Sequence, residues 1–254
     1  MDNRYIAVFD SGVGGISVLR QLVSQMPGEN YLYYGDSAHA PYGGLSTERV
    51  QELTLTAVQK LYSRGIKALV VACNTATAAA IELLRDKFPD IPVIGIEPAL
   101  KVAADRFPGG YVGVMATCVT LREEKFAHQI ERFPEMKIER IPAPGLVELV
   151  ESGKGNSPEA VALLRKILDP FVGKLDALVL GCTHYPFARN AVSKVLGPQT
   201  VLLDGSEGTA RQTRHCLQEA GMLNDGPGSV TIENSLENED IITLCRKLLT
   251  HTGG

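Results

Sequence analysis

Ala68-Leu69-Val70-Val71-Ala72-Cys73 and Ala177-Leu178-Val179-Leu180-Gly181-Cys182 are two closely similar stretches, an apolar run ending at a cysteine, set 109 residues apart (182 − 73). A short continuous apolar run of this kind marks a strand covered on both faces. A second echo, Phe9-Asp10-Ser11 and Met115-Ala116-Thr117, has a separation of 106 (117 − 11). Near-equal separations predict two copies of one α/β unit. Each copy closes one strand on a hydroxyl residue and a later strand on a thiol. Open α/β sheets bind ligands at the carboxyl ends of their strands, and both thiols fall there.

Working outward, short apolar strands alternate with helical patterns along the whole chain. Tyr5–Phe9 reads as a strand, and Ile16, Leu19, Leu22, Val23 and Met26 share one helical face. Tyr31–Tyr34 reads as a strand, followed by a Gly- and Pro-containing loop to Gly44. Val50, Leu53, Ala57, Val58 and Leu61 then form a buried stripe before the strand at Lys67–Cys73. Pro89, Pro92 and Pro98 punctuate the chain, and the rhythm restarts. Tyr111–Met115, Lys137–Ile141, Ala177–Cys182 and Val201–Leu203 read as strands. One helix is expected through Leu121, Phe126 and Ile130. Another should start at Ser157-Pro158-Glu159, where Ser caps and Pro takes the first helical position. Ala210–Ala220 and Ile241–Leu249 complete the helices. The alternation predicts an α/β fold of parallel sheets with right-handed crossovers.

Composition sets the outer limits. The 254 residues are 44% hydrophobic and 21% charged, which suits a soluble globular chain with a real core. A net charge of −4 leaves no basic surplus to neutralise phosphates, so nucleic acid is not expected as a partner. No apolar run approaches membrane-spanning length, and Met1-Asp2-Asn3-Arg4 does not open a signal peptide. Five cysteines without a C-x-x-C pair argue against a disulfide framework or a zinc knuckle. The expectation is a reduced, cytoplasmic protein that needs no metal.

Asp10-Ser11-Gly12-Val13-Gly14-Gly15 joins a strand to a helix. Position 17 is Ser rather than Gly, so this is not a dinucleotide fingerprint, and it lacks the Gly-Lys-Ser/Thr of a P-loop. Its plain reading is a tight turn in which the acidic residue caps a helix; the alternative is that the acid receives a proton or an ammonium. Cys73-Asn74-Thr75-Ala76 and Cys182-Thr183-His184-Tyr185-Pro186 each put a thiol at a strand end, followed by polar donors. A cysteine beside an apolar strand is usually an inert core residue. Two at matching positions, both expected at helix N-termini that favour thiolate, point instead to chemistry. Cys216 and Cys245 read as helix packing and Cys118 as incidental. Pro41-Tyr42-Gly43-Gly44 is a turn whose backbone N–H groups could hold a carboxylate. Glu151, taken alone, reads as a solvated carboxylate at a helix end.

Taken together, Phe9–Gly15, Gly35-Asp36-Ser37 with Pro41-Tyr42-Gly43, Cys73-Asn74-Thr75-Ala76 and Gly181-Cys182-Thr183-His184-Tyr185-Pro186 resemble the bacterial glutamate racemases of the aspartate/glutamate racemase superfamily. The match runs from about residue 6 to residue 210, in order. His184 after Cys-Thr fits glutamate racemases better than aspartate racemases, which usually carry Glu there. The resemblance implies two pseudo-symmetric, doubly wound α/β domains with the active site in the cleft between them. Residues 1–97 with 210–254 would form the first domain and residues 98–209 the second. It also implies interconversion of L- and D-glutamate without a cofactor, supplying D-glutamate for peptidoglycan. Cys73 would deprotonate D-glutamate with help from Asp10, and Cys182 would deprotonate L-glutamate with help from His184 and Glu151. Ser11, Pro41, Tyr42, Gly43, Asn74, Thr75, Thr117 and Thr183 would bind substrate alongside these. A homodimer and activation by a cell-wall precursor stay open as partner readings. Thr120 keeps the family spacing, whereas Glu123 and Phe126 stand where Ser and Tyr are common. Gly205 stands for a frequent Ser. These departures bear on regulation or dimer contacts, not on the reaction.

Two other classes compete. A cysteine-nucleophile hydrolase or decarboxylase of the same superfamily needs only one thiol. A small-anion binding module would leave both cysteines inert.

Overall fold

The computed structural model describes residues 2–122 and 124–250. The chain opens with β1 (Ile6–Asp10), α1 (Ile16–Gln25), β2 (Asn30–Gly35), α2 (Thr47–Tyr62), β3 (Ala68–Val71), α3 (Asn74–Lys87) and β4 (Val93–Gly95). It continues through α4 (Leu100–Arg106), β5 (Tyr111–Ala116), α5 (Cys118–Arg122), α6 (Glu124–Glu131) and β6 (Lys137–Pro142). Next come α7 (Leu146–Glu151), α8 (Pro158–Leu168), β7 (Ala177–Leu180), α9 (Arg189–Leu196) and β8 (Val201–Asp204). The chain closes with α10 (Ser206–Glu219), β9 (Ser229–Asn234) and α11 (Glu239–Thr250).

Two parallel sheets result, ordered β4-β3-β1-β2-β9 and β6-β5-β7-β8. Read from the other edge, the second is β8-β7-β5-β6, the same winding as β4-β3-β1-β2. The repetition extends to register: Phe9 stands opposite Val71, and Met115 opposite Leu180. One residue further, Ala72 N–H donates to Phe9 O and Gly181 N–H to Met115 O, both at 2.7 Å. The two separations noted in the sequence are therefore one sheet geometry built twice. In each sheet the chain leaves the first strand on one side and returns on the other. This creates a switch point at β1/β3 and again at β5/β7, where such folds open a crevice.

Alternation within each strand assigns the layers. Ile6 and Val8 pack with α1, and Ala7 and Phe9 with α2 and α3. Met115, Leu178 and Leu180 join the core under α7, α8 and α9, while Val112, Val114 and Ala116 pack under α4 to α6. Full burial of one such side chain contributes about 1.5–3 kcal/mol. After β8 the chain returns: α10 and α11 pack on α1, and β9 pairs with β2.

Several boundaries differ from the sequence expectation. β4 and β9 were not expected. β4 is three residues between prolines, and β9 is an edge strand with mixed polarity. The single helix through Leu121, Phe126 and Ile130 is two, α5 and α6, and Glu123 lies outside the described residues. α10 starts at Ser206 rather than Ala210, because Asp204 Oδ1 accepts the Ser206 N–H at 3.0 Å and opens the helix early. Lys67, expected within a strand, is fully buried beside Glu29 in a 2.6 Å ion pair. Its Nζ also donates to the carbonyls of Asp2 and Met222, both at 2.7 Å. This node ties the returning segment to the start of the chain, and removing one partner would cost about 3–5 kcal/mol. No described helix is long and apolar enough to cross a membrane.

Candidate active site

The carboxyl ends of β1, β3, β5 and β7 bring the two halves together. Asp10 is fully buried at the end of β1. Its Oδ2 accepts the Gly12 N–H at 3.0 Å, and its Oδ1 accepts the Thr183 hydroxyl of the other half at 3.1 Å. Asp10 is thus a bridge between halves and does not cap α1, whose N-cap is Gly15. Ser11 Oγ shares a hydrogen bond with Cys73 Sγ at 3.3 Å. Ser11, not Asp10, is the direct neighbour of that sulfur. Asp10 acts on it through charge.

Cys73 caps α3, its sulfur accepting the Ala76 N–H at 3.4 Å. The Ala76 N–H at the helix start does lower this thiol, as the sequence reading expected, but it is outweighed. Burial first, then the Asp10 carboxylate, push it up to about 12 against the hydrogen bonds from Ser11 and Ala76. Charge on Cys182 adds to the rise, so the two sulfurs lie within electrostatic reach of each other. Cys182 also departs from expectation. It precedes a short 3-10 turn at Tyr185–Ala188 containing Pro186, and α9 begins only at Arg189. Its partner is a side chain instead: His184 Nδ1 lies 3.7 Å from the sulfur.

His184 Nε2 meets Glu151 Oε1 at 3.0 Å. Glu151 is therefore a member of the cluster, not a free helix-end carboxylate. Burial alone would lower the His184 imidazole. The Cys182 sulfur and the Glu151 carboxylate outweigh it and hold the ring well above the usual histidine range. The glycine loop makes room for this pair. A Cβ on Gly12 would collide with Glu151 Oε1, and one on Gly14 would stand 2.7 Å from both Cε1 and Cγ of His184. The glycines thus serve close approach between halves rather than a phosphate.

The remaining expected residues gather at the same place. Thr75 and Thr117 hydroxyls meet at 3.0 Å across the halves, with Thr120 3.0 Å from Thr117. Gly43 abuts Thr117, since an added Cβ would lie 2.8 Å from Thr117 Cβ. Tyr42 is buried and donates its hydroxyl to Asp36 Oδ2 at 2.7 Å; neighbouring Pro41 is exposed. Asn74 is buried, and its Oδ1 has no hydrogen-bond partner. An orphaned carbonyl oxygen beside the thiol invites a donor. Two supports carried no sequence signal. Ser17 Oγ donates to Thr183 O at 3.0 Å, and Tyr33 OH to Gly12 O at 2.8 Å. Asp36 was visible in its motif but without its bond to Tyr42. Cys245 is buried packing in α11, and Cys216 is half-buried beside Gln212. Among the described residues no three His, Cys, Asp or Glu side chains cluster to hold a metal ion.

Two buried thiols, each at a switch point of its own sheet, thus lie within electrostatic reach of each other, beside hydroxyl groups that meet across the halves. Residues 9–213 match the Asp/Glu/Hydantoin racemase family model, and the chain belongs to that family. Relatives that match nearly its full length include glutamate racemases. The enzyme of that name from Clostridium acetobutylicum is 47% identical over 97% of this chain and 98% of its own. Escherichia coli glutamate racemase, solved with L-glutamate and the activator UDP-MurNAc-Ala, superposes with a TM-score of 0.88 at 31% identity, covering 97% of this chain and 95% of that one. The Francisella tularensis enzyme, solved with D-glutamate, gives 0.86 at 28%, covering 99% and 95%.

Proposed function

We propose that this chain interconverts L- and D-glutamate with two thiol bases on opposite faces of the α-carbon and supplies D-glutamate for peptidoglycan synthesis. The observation that carries the reading is the duplication: the same sheet geometry ends in Cys73 in one half and Cys182 in the other. Substrate lies between two domains, residues 1–97 with 210–254 and residues 98–209. For mirror-image products at one carbon a base on each face suffices, and pseudo-symmetric halves supply one to each.

In the L-to-D direction the Cys182 thiolate takes the α-proton, and the Cys73 thiol delivers its own to the opposite face. The cycle ends with Cys182 protonated and Cys73 as thiolate, and the D-to-L direction reverses each step. The raised Cys73 thiol suits its role as proton donor at neutral pH. His184, cationic and backed by Glu151, offers its charge to Cys182 once that sulfur is bare. Asp10 and Ser11 tune Cys73. An α-proton beside a carboxylate is very weakly acidic, so preorganised donors must stabilise the carbanion. Asn74, Thr75, Thr117, Thr183 and the Pro41-Tyr42-Gly43 turn hold the carboxylates and ammonium. The unpaired Asn74 Oδ1 fits the ammonium.

Purified chain mixed with L-glutamate alone should drive the circular dichroism of the amino acid to zero, with no ammonia or CO2 released. Release of either product would assign a hydrolase or decarboxylase. Tight binding with unchanged optical activity would assign a binding module.

A further inference from the structure

A cavity of about 180 Å³ lies where α1 faces the start of α9 and the start of α10, lined by none of the residues gathered round the thiols. Two of its groups have nothing to bind. Arg20 on α1 is half-buried and has no hydrogen bond or ion pair among the described residues. Ser206 is 2% exposed, and its Oγ has no hydrogen-bond partner among the described residues. The cavity's one carboxylate is already engaged: Asp204 holds Arg189 at 2.7 Å and caps Ser206 N–H at 3.0 Å. An adjoining groove of about 430 Å³ shares Asn156 and Asn190 and carries Arg165 and Lys194, both exposed and without an ion-pair partner among the described residues. In a chain of net charge −4, this is a local concentration of positive charge.

We propose that this cavity is a binding site for a phosphate group that bridges the two halves of the molecule. An unpaired guanidinium is a fork of donors suited to an oxyanion, and a buried hydroxyl without a partner is costly until one arrives. Arg20 and Ser206 approach from different elements. A tetrahedral anion held by the Arg20 fork presents further acceptors, which the Ser206 hydroxyl, covered as it stands, reaches by turning about its Cα–Cβ bond. The groove cations focus anions toward the opening. The volume, room for about six waters, exceeds a phosphate group alone, so a small phosphomonoester fits as well as the free ion. Among the described residues, Ser17 is the one support of the thiol cluster that also lines the cavity, because its Oγ holds Thr183 O, so the site lies directly behind that cluster. Nothing in this assignment depends on which amino acid the thiols act upon.

The test is titration of the intact protein with inorganic phosphate and with glycerol 3-phosphate at ionic strength fixed by NaCl, read by calorimetry and by the thermal midpoint. The expected result is saturable one-to-one binding with a rising midpoint. Arg20→Gln should weaken affinity at least about tenfold with its midpoint in NaCl alone unchanged, and Ser206→Ala severalfold with its midpoint in NaCl alone unchanged or higher. Arg211→Gln, on exposed α10 surface with Glu207, should bind as wild type. Saturation by the free ion alone, or by the ester alone, identifies the source of the group. No saturable binding of either probe, or wild-type affinity in Arg20→Gln, overturns the site.

Discussion

Cys73→Ser and Cys182→Ser should each lose about 10³-fold or more in racemisation rate. A positioned acid–base group contributes about 10²–10⁴-fold, and a hydroxyl is a far weaker acid than a thiol. Each cysteine serves as base in one direction and acid in the other, so neither direction should escape. Both mutants should fold, because serine is nearly isosteric and each site already contains hydroxyls, Ser11 beside Cys73 and Thr183 after Cys182. Cys216→Ser, half-buried on α10, should stay within about twofold. Steady-state rates in both directions measure this. Near-normal activity in either site mutant would remove that thiol from the mechanism. A comparable loss at Cys216 would mean that the reactive cysteines lie elsewhere.

The second large effect is expected at a residue that touches no substrate. Gly14→Ala puts a methyl group into the ring of His184. Gly14 does not have a left-handed backbone, so alanine fits the local conformation and the collision falls on the imidazole. His184 cannot step aside freely, since Cys182 and Glu151 hold its two nitrogens. A displacement of about 1 Å in a catalytic array costs about 10²-fold, and that loss should appear in kcat with the thermal midpoint little changed. Wild-type kcat in Gly14→Ala would show that His184 does not need its present position. A collapse of the midpoint would show that the glycine serves folding instead.

The repeated strands were legible because burial on both faces leaves an unbroken apolar run, and Ala68–Val71 and Ala177–Leu180 have little else. The reach of the halves toward each other was not. Nothing in Asp-Ser-Gly-Val-Gly-Gly says that its glycines face Glu151 and His184, because their use lies in contacts more than 130 residues away (151 − 12 and 184 − 14). β9 escaped for a related reason. As an edge strand it is half-exposed, and what recruits Ser229–Asn234 is its ladder to Asn30–Gly35 rather than its own pattern. The thiols were found by position, but their environments were misjudged. Helix-start geometry is local and readable, whereas burial and the Asp10 charge that raise Cys73 come from the assembled fold. The Lys67–Glu29 pair was invisible for the same reason. An isolated charge in an apolar run gives no hint of its partner.

Thiols that work from opposite faces leave a distinctive isotope pattern. In D2O, starting from pure L-glutamate, early-time NMR of the separated enantiomers reports the α-position of each. D-glutamate should carry solvent deuterium from its first turnover, while unreacted L-glutamate keeps its protium, because the sulfur that takes the proton is not the one that delivers the next. Protium carried into the product, or deuterium appearing in remaining L-glutamate as fast as in the product, would contradict it.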